Sequence, residues 1–131
     1  MGASCAGPGV SAVQTHMTNT LNTPIESLEM HYPLRVTRYE VRRDSGGAGR
    51  HAGGDGLVRE FAFIRPATVT LLTERRRRRP WGLAGGTAGL AGENRLDGML
   101  LPVKATFTAQ PGQTLMIATP GGGGWGAPAR T

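Results

Sequence analysis

Three glycine-rich segments divide the apolar parts of this 131-residue chain, and they constrain its fold more than any other feature. They span residues 44–56, 82–92 and 121–126. The 21 glycines and 9 prolines make up about 23% of the chain, just short of the roughly 25–30% that is typical of low-complexity sequences. Because the apolar residues between these segments form alternating runs, the sequence predicts one folded, loop-rich domain.

Alternation of apolar and polar residues predicts several short strands, at residues 34–43, 57–64, 67–73, 103–108 and 114–119. The alternation slips by one residue near residues 37–38, which indicates a β-bulge. Residues 57–64 are apolar on both faces, as is typical of a strand inside a sheet. We expect residues 67–73 to be the hairpin partner of this strand, and Asp97 with Gly98 to form a turn.

A short helix is predicted over residues 24–31. Thr23 can cap this helix, Pro24 suits its first position, and Glu26 completes a capping box. The fold class that follows is β-rich (α+β), with short strands joined by Gly-rich loops and one short helix near residues 24–31.

The first 14 residues are mostly small, so we expect a flexible N-terminal segment over residues 1–14. This segment contains Cys5, the only cysteine, so the chain by itself can form neither an internal disulfide nor a cysteine-based zinc site. No stretch approaches the roughly 18 apolar residues of a membrane span, and the start of the chain lacks the pattern of a secretory leader. We therefore expect a cytoplasmic protein with no membrane partner.

Arginine carries almost all of the positive charge: 14 of the 15 basic residues are arginine, and the net charge is +6. This balance favours an anionic partner, although a GC-rich genome produces the same bias and most of the arginines are dispersed. The one run, at residues 75–79, precedes Trp81, and it could grip phosphate while the indole stacks on a base. Because only one aromatic residue accompanies the run, we favour a solvated strand end or a subunit contact, and no nucleic-acid partner.

Residues 15–29 combine a histidine, two asparagines, two glutamates and several threonines, as in the wall of a binding site. His16 is the candidate catalytic acid or base, and the alternative is a structural, hydrogen-bonded histidine. Asn19 and Asn22 are candidates to hold a substrate amide or carbonyl, although both side chains can also bind their own backbone. Glu29 is a further candidate substrate-binding residue, because no capping role explains it.

The glycines of residues 44–56 are spaced GxGxxxG, one residue longer than the dinucleotide fingerprint, and they do not open a helix. We expect an ordered loop that needs positive φ at several positions. The alternative is a loop that also contacts a ligand through Arg50 or His51. We assign Arg50, Arg75 and Arg77 to a surface for a partner or an anion. The three histidines lack metal-ligand spacing, so no metal ligand is assigned.

Six sequence blocks occur in an order that resembles one family: THMTNTLNTPIESLE, YPLRVTRYEVRRDSGGAGRHAGGDGLVREF, PWGLAGGTAG, NRLDG, LPVKATF and TPGGGGWG. Together they are similar to the C-terminal part of the hydantoinase B/5-oxoprolinase family, of the N-methylhydantoinase B subunit type. On this resemblance, residues 15–128 are the C-terminal module of a hydantoinase B/oxoprolinase-like domain.

The resemblance implies part of a hydrolase that opens cyclic amides, such as hydantoin or 5-oxoproline, in an ATP-dependent reaction. It implies that this chain binds no cofactor, whereas ATP and a divalent metal belong to the complete enzyme. The implied partners are a hydantoinase A-type subunit, the missing N-terminal part of the B component, or both, within an oligomer. Because family members are several times longer, we expect a truncated gene, a split subunit or an excised domain without turnover of its own. The alternatives are a small basic binding protein and an inert fragment.

Overall fold

The computed structural model describes residues 1–13 and 24–128. In this part of the chain one helix is followed by seven strands: α1 (Ile25–His31), β1 (Leu34–Arg42), β2 (Gly56–Phe63), β3 (Ala67–Leu72), β4 (Glu93–Leu96), β5 (Met99–Leu100), β6 (Lys104–Ala109) and β7 (Thr114–Ala118). This confirms the prediction of a β-rich fold with one short helix. The helix begins after Pro24, one residue later than predicted, and its predicted cap, Thr23, lies outside the described residues. None of the described helical residues forms a segment long and apolar enough to cross a membrane.

Five strands form one antiparallel sheet in the order β1-β2-β7-β4-β5, and β3 pairs with β6 in a second, two-stranded sheet. Strand β2 lies between β1 and β7, which confirms the prediction of a strand inside a sheet. The predicted hairpin between residues 57–64 and 67–73 is wrong, because both edges of β2 are already paired. Strand β3 pairs instead with a strand far along the chain.

Two local predictions are confirmed. The pairing of β1 with β2 shifts register between Val36 and Arg38, which is the predicted bulge. Asp97 and Gly98 form a turn in which both residues have left-handed backbone, with φ of 49° and 82°. This turn joins β4 to β5, two short strands that the alternation of the sequence did not predict.

A small apolar core lies between the two sheets. Phe63 of β2 and Leu115 of β7 cluster with Leu71 of β3 and Ala109 of β6, and all four residues are buried. The chain has an accessible surface of 8600 Å² at a mass of 13.8 kDa, against roughly 6,600 Å² for a compact monomer of that mass. The fold therefore leaves more surface exposed than a self-sufficient domain of this size.

The three glycine-rich segments pack side by side, and we call residues 44–56, 82–92 and 121–126 together the glycine bundle. Backbone hydrogen bonds join all three segments: Gly47 N–H donates to Gly122 O at 2.8 Å, Gly124 N–H to Thr87 O at 2.9 Å, and Thr87 N–H to Ala48 O at 2.7 Å. Since these bonds connect residues far apart in sequence, the bundle forms only when the whole domain folds.

The glycines of the bundle serve close packing, and the expectation of positive φ at several positions of residues 44–56 is wrong. None of the six glycines in that segment has left-handed backbone; only Asp44 does. A Cβ built on Gly47, Gly53 or Gly124 would instead lie less than 3.0 Å from backbone atoms of another segment. Glycine is needed here because main chains pass each other without room for a side chain.

The N-terminal segment lies against the glycine bundle through backbone hydrogen bonds. Ala3 N–H donates to Gly123 O at 2.9 Å, and Gly54 N–H donates to Met1 O at 2.8 Å. These contacts place the segment without measuring its motion, so the flexibility of residues 1–14 stays a prediction.

Candidate functional site

Helix α1 packs on strands β1 and β2 and encloses a cavity of about 260 Å³, which we call the α1 cavity. Its walls are mainly apolar: Pro24, Ile25, Leu28, Val36 and Phe61, with Tyr39 and Arg59. The volume is slightly below the roughly 300–1,000 Å³ of most small-molecule sites. Residues 15–23, which carry three of the predicted site residues, join the helix at Pro24 on the wall of this cavity.

Two polar side chains mark the α1 cavity. Arg59 and Tyr39 are directly opposite each other on β2 and β1. The guanidinium of Arg59 lies 4.6 Å from the centre of the Tyr39 ring and donates to its hydroxyl at 3.0 Å. The pair presents a cation and a hydroxyl beside an apolar wall, which suits a ligand with a polar end and an apolar body. Sequence reasoning missed both residues, because only the register across the bulge brings them together.

Of the predicted substrate-facing residues, the structure places one. Glu29 lies on the exposed part of α1, and its Oε1 accepts the Val36 N–H at 3.0 Å. This bond ties the helix to β1 at the bulge, so Glu29 has a structural role that the sequence did not indicate. His16, Asn19 and Asn22 lie outside the described residues, and their roles stay predictions.

The arginine run is partly committed to the fold. Arg79 donates to Gly89 O at 2.8 Å, and Arg76 donates to Glu74 O at 2.6 Å. The guanidinium of Arg75 lies 4.6 Å from the ring centre of Trp81, so cation and indole partly satisfy each other. Arg77 and Arg78 are exposed. Five arginines and a tryptophan are therefore not presented together to a nucleic acid.

Arg50, assigned with Arg75 and Arg77 to a partner or anion surface, is an exposed residue of the glycine bundle. Its backbone N–H donates to Gly126 O at 3.1 Å. Arg75 and Arg77 lie on a different segment, after β3. The assignment of these three arginines to one surface stays a prediction.

The amide groups of residues 44–56 do not form a phosphate cradle. Such a cradle needs several unpaired N–H groups that converge on the anion. Here they donate within the protein: Gly46 to Asp55 Oδ1 at 2.9 Å, Gly47 to Gly122 O, Gly53 to Gly47 O and Gly54 to Met1 O. The alternative of a ligand-binding glycine loop is therefore not supported through its backbone.

The donor set of the described residues does not fit a metal ion. Within residues 1–13 and 24–128, no three His, Cys, Asp or Glu side chains converge. His31 bonds Ser27 O through Nδ1 at 2.7 Å, and the ring of His51 packs 5.9 Å from that of Trp125. Both histidines have structural partners.

The profile of the hydantoinase B/oxoprolinase family matches residues 1–128. The chain is 47% identical to 5-oxoprolinase 1 of Arabidopsis thaliana over 97% of its own length and 11% of that protein. It is 38% identical to a putative D-/L-hydantoinase of Pseudomonas sp., of which the matched polypeptide is the B component, over 92% of its own length and 22% of that polypeptide.

The fold is similar to part of a crystal structure of an ATP-dependent caprolactamase from Pseudomonas jessenii, with a TM-score of 0.73 and 28% identity. That match covers 92% of this chain and 24% of the caprolactamase chain. The chain thus spans between 11% and 24% of the length of these relatives. Since the family profile covers nearly every residue, the resemblance seen in the sequence is confirmed, and the chain belongs to the hydantoinase B/oxoprolinase family.

Proposed function

We propose that this chain forms one wall of the active site in an enzyme that opens cyclic amides in an ATP-dependent reaction in the cytoplasm. The observation that carries the proposal is the family match over residues 1–128. The names of the relatives, 5-oxoprolinase, hydantoinase and caprolactamase, share one bond type, the amide within a ring. Which ring this chain handles is left open by the proposal.

The α1 cavity supports a place for the ring. Its apolar wall, with Leu28 and Phe61, can cover the methylene face of a small cyclic amide, and Arg59 and Tyr39 can meet its polar edge. Burying the apolar face contributes about 25 cal/mol per Å². Hydrogen bonds to the polar edge then fix the orientation.

The proposal gives the chain's own side chains three tasks. His16 moves a proton, either from the attacking water or to the leaving ring nitrogen. Asn19 and Asn22 orient the amide, since each can donate to its carbonyl oxygen and accept from its N–H. Glu29 keeps one carboxylate oxygen on the Val36 N–H, and its other oxygen is available to a substrate N–H.

ATP and a divalent metal belong, in this proposal, to other parts of the complete enzyme. The described carboxylates and histidines do not supply three converging ligands, and the bundle amides are paired within the protein. An A-type partner is proposed as the component that activates the ring carbonyl.

The experiment is a histidine pair compared in the complete enzyme that contains this chain, assembled with its A-type component. His16→Ala should lower kcat for ATP-dependent ring opening by roughly 10²–10⁴-fold, the usual contribution of a general acid or base. His31→Ala is the matched control, because His31 bonds only a helix carbonyl among the contacts of the described chain. It should stay within about twofold of the parent.

Product formation is followed with 5-oxoproline, hydantoin and caprolactam, and nucleotide hydrolysis is measured in parallel. Activity of His16→Ala within about twofold of the parent on every ring removes His16 from the mechanism. If none of the three rings is opened by the parent assembly, the proposed reaction itself fails.

A further inference from the structure

A second cavity, of about 470 Å³, lies between the arginine run and strands β4 and β5, and none of its lining residues is shared with the α1 cavity. We call it the Arg76 cavity. Arg76, Arg77 and Asn94 supply its polar wall, and Leu100, Leu101 and Val103 supply its apolar wall. Its volume falls within the roughly 300–1,000 Å³ of small-molecule sites.

Arg76 is held in this cavity by several independent contacts. Its Nη1 donates to Glu74 O at 2.6 Å, and its Nη2 donates to Asn94 Oδ1 at 3.2 Å. Asn94 is fully buried and is itself fixed, because its Nδ2 donates to Thr73 Oγ1 at 2.9 Å. The guanidinium also crosses Gly92 so closely that a Cβ there would lie 2.8 Å from Arg76 Nε. A flexible side chain is thereby locked in one position.

The locked guanidinium has no carboxylate partner among the ion pairs of the described chain. The acidic residue on the cavity wall, Glu93, is instead paired with Arg95 Nε at 3.0 Å. Burial lowers the pKa of Arg76, and the nearby positive charge of Arg42 lowers it further. A half-buried cation with Arg42 and Arg77 close by is costly unless an anion joins it.

We propose that the Arg76 cavity binds a carboxylate that carries a short apolar body. The carboxylate pairs with Arg76 and Arg77, and the apolar body lies against Leu100, Leu101 and Val103. A planar guanidinium matches the two oxygens of a carboxylate, and the partly shielded position strengthens the pairing. The carboxylate belongs either to a free acid or to an acidic side chain of another polypeptide.

The test uses the full chain and hexanoate, with hexanamide as a probe of the same shape and no charge. The melting temperature should rise with hexanoate concentration at constant ionic strength, because a ligand of the folded state stabilises it. Hexanamide should leave it unchanged. Arg77→Gln should weaken hexanoate binding at least tenfold, whereas Arg78→Gln, an exposed neighbour off the cavity wall, should change it less than twofold.

Arg76→Gln should abolish the hexanoate effect, and if that variant does not fold, the Arg77 and Arg78 pair still decides. A blocked Leu-Asp-Leu peptide compared with hexanoate distinguishes the two sources of the carboxylate: tighter peptide binding assigns the site to a protein partner, and tighter hexanoate binding assigns it to a free acid. Equal effects of hexanoate and hexanamide, or unchanged binding in Arg77→Gln, overturn the proposal.

Discussion

The glycine bundle makes a prediction with a sign opposite to that of backbone propensity. Gly56 opens β2 and is buried, and its φ is not left-handed. Local preference alone says that Gly56→Ala stabilises the protein by about 0.4–1 kcal/mol, because alanine restricts the unfolded chain. A Cβ at this position, however, would lie 2.5 Å from Thr119 O and 2.7 Å from Thr119 Oγ1.

Thr119 must therefore move by roughly 0.9 Å to reach ordinary contact with the new methyl group. That shift stretches two hydrogen bonds: Arg42 Nη1 to Thr119 O, now 3.0 Å, and Thr119 N–H to Leu57 O, now 2.8 Å. Overpacking costs about 1–3 kcal/mol, and each weakened bond costs about 0.5–1.5 kcal/mol. After the gain in the unfolded state is subtracted, the expected loss is about 3 kcal/mol.

Urea unfolding measures this loss, and with an m-value of about 2 kcal/mol per M the midpoint should fall by about 1.5 M. Gly7→Ala is the matched control, because a Cβ on Gly7 meets no atom within 4 Å and its φ is not left-handed. Its midpoint should stay the same or rise slightly. A Gly56→Ala midpoint equal to that of Gly7→Ala would refute the close-packing explanation of the bundle.

Three further predictions concern other parts of the domain. Asn94→Ala should lower the unfolding free energy by about 2–3 kcal/mol, because it leaves buried partners of a fully buried amide unpaired; a loss below about 1 kcal/mol in urea would contradict this. Glu29→Gln should keep the urea midpoint near the parent value, since it retains an acceptor for the Val36 N–H, whereas Glu29→Ala should lower it; equal midpoints would remove the structural role. The chain should self-associate in light scattering, because Met99 and Leu100 on edge strand β5 are 73% and 62% exposed, and Leu100→Lys should reduce association; a parent chain that is monodisperse at 13.8 kDa would count against it.

The two cavities have different relations to the family. The α1 cavity lies where residues 15–23 meet the helix, so it supports the proposed ring site through chain continuity. The Arg76 cavity has its own set of lining residues and is defined by an arginine that is locked in place without an acidic partner in the described ion pairs. The His16 and hexanoate experiments can therefore fail independently of each other.

Local sequence determined the features of this protein that depend on neighbouring residues. The slip in alternation located the bulge between Val36 and Arg38, the Asp97 and Gly98 pair located a turn, and the proline and glutamate at residues 24–26 located the helix to within one residue. The order of six sequence blocks identified the family. Each of these depends on spacing along the chain, which a sequence states directly.

Tertiary structure alone decided the features that depend on contacts between distant segments. It paired β3 with β6, because β2 had no free edge. It gave the bundle glycines their purpose, since only the folded chain brings main chains within a Cβ of each other. It set Arg59 on Tyr39 and buried Arg76 beside Asn94. Periodicity shows that a residue faces inward, but the identity of its neighbour is fixed only when sheets and loops pack together.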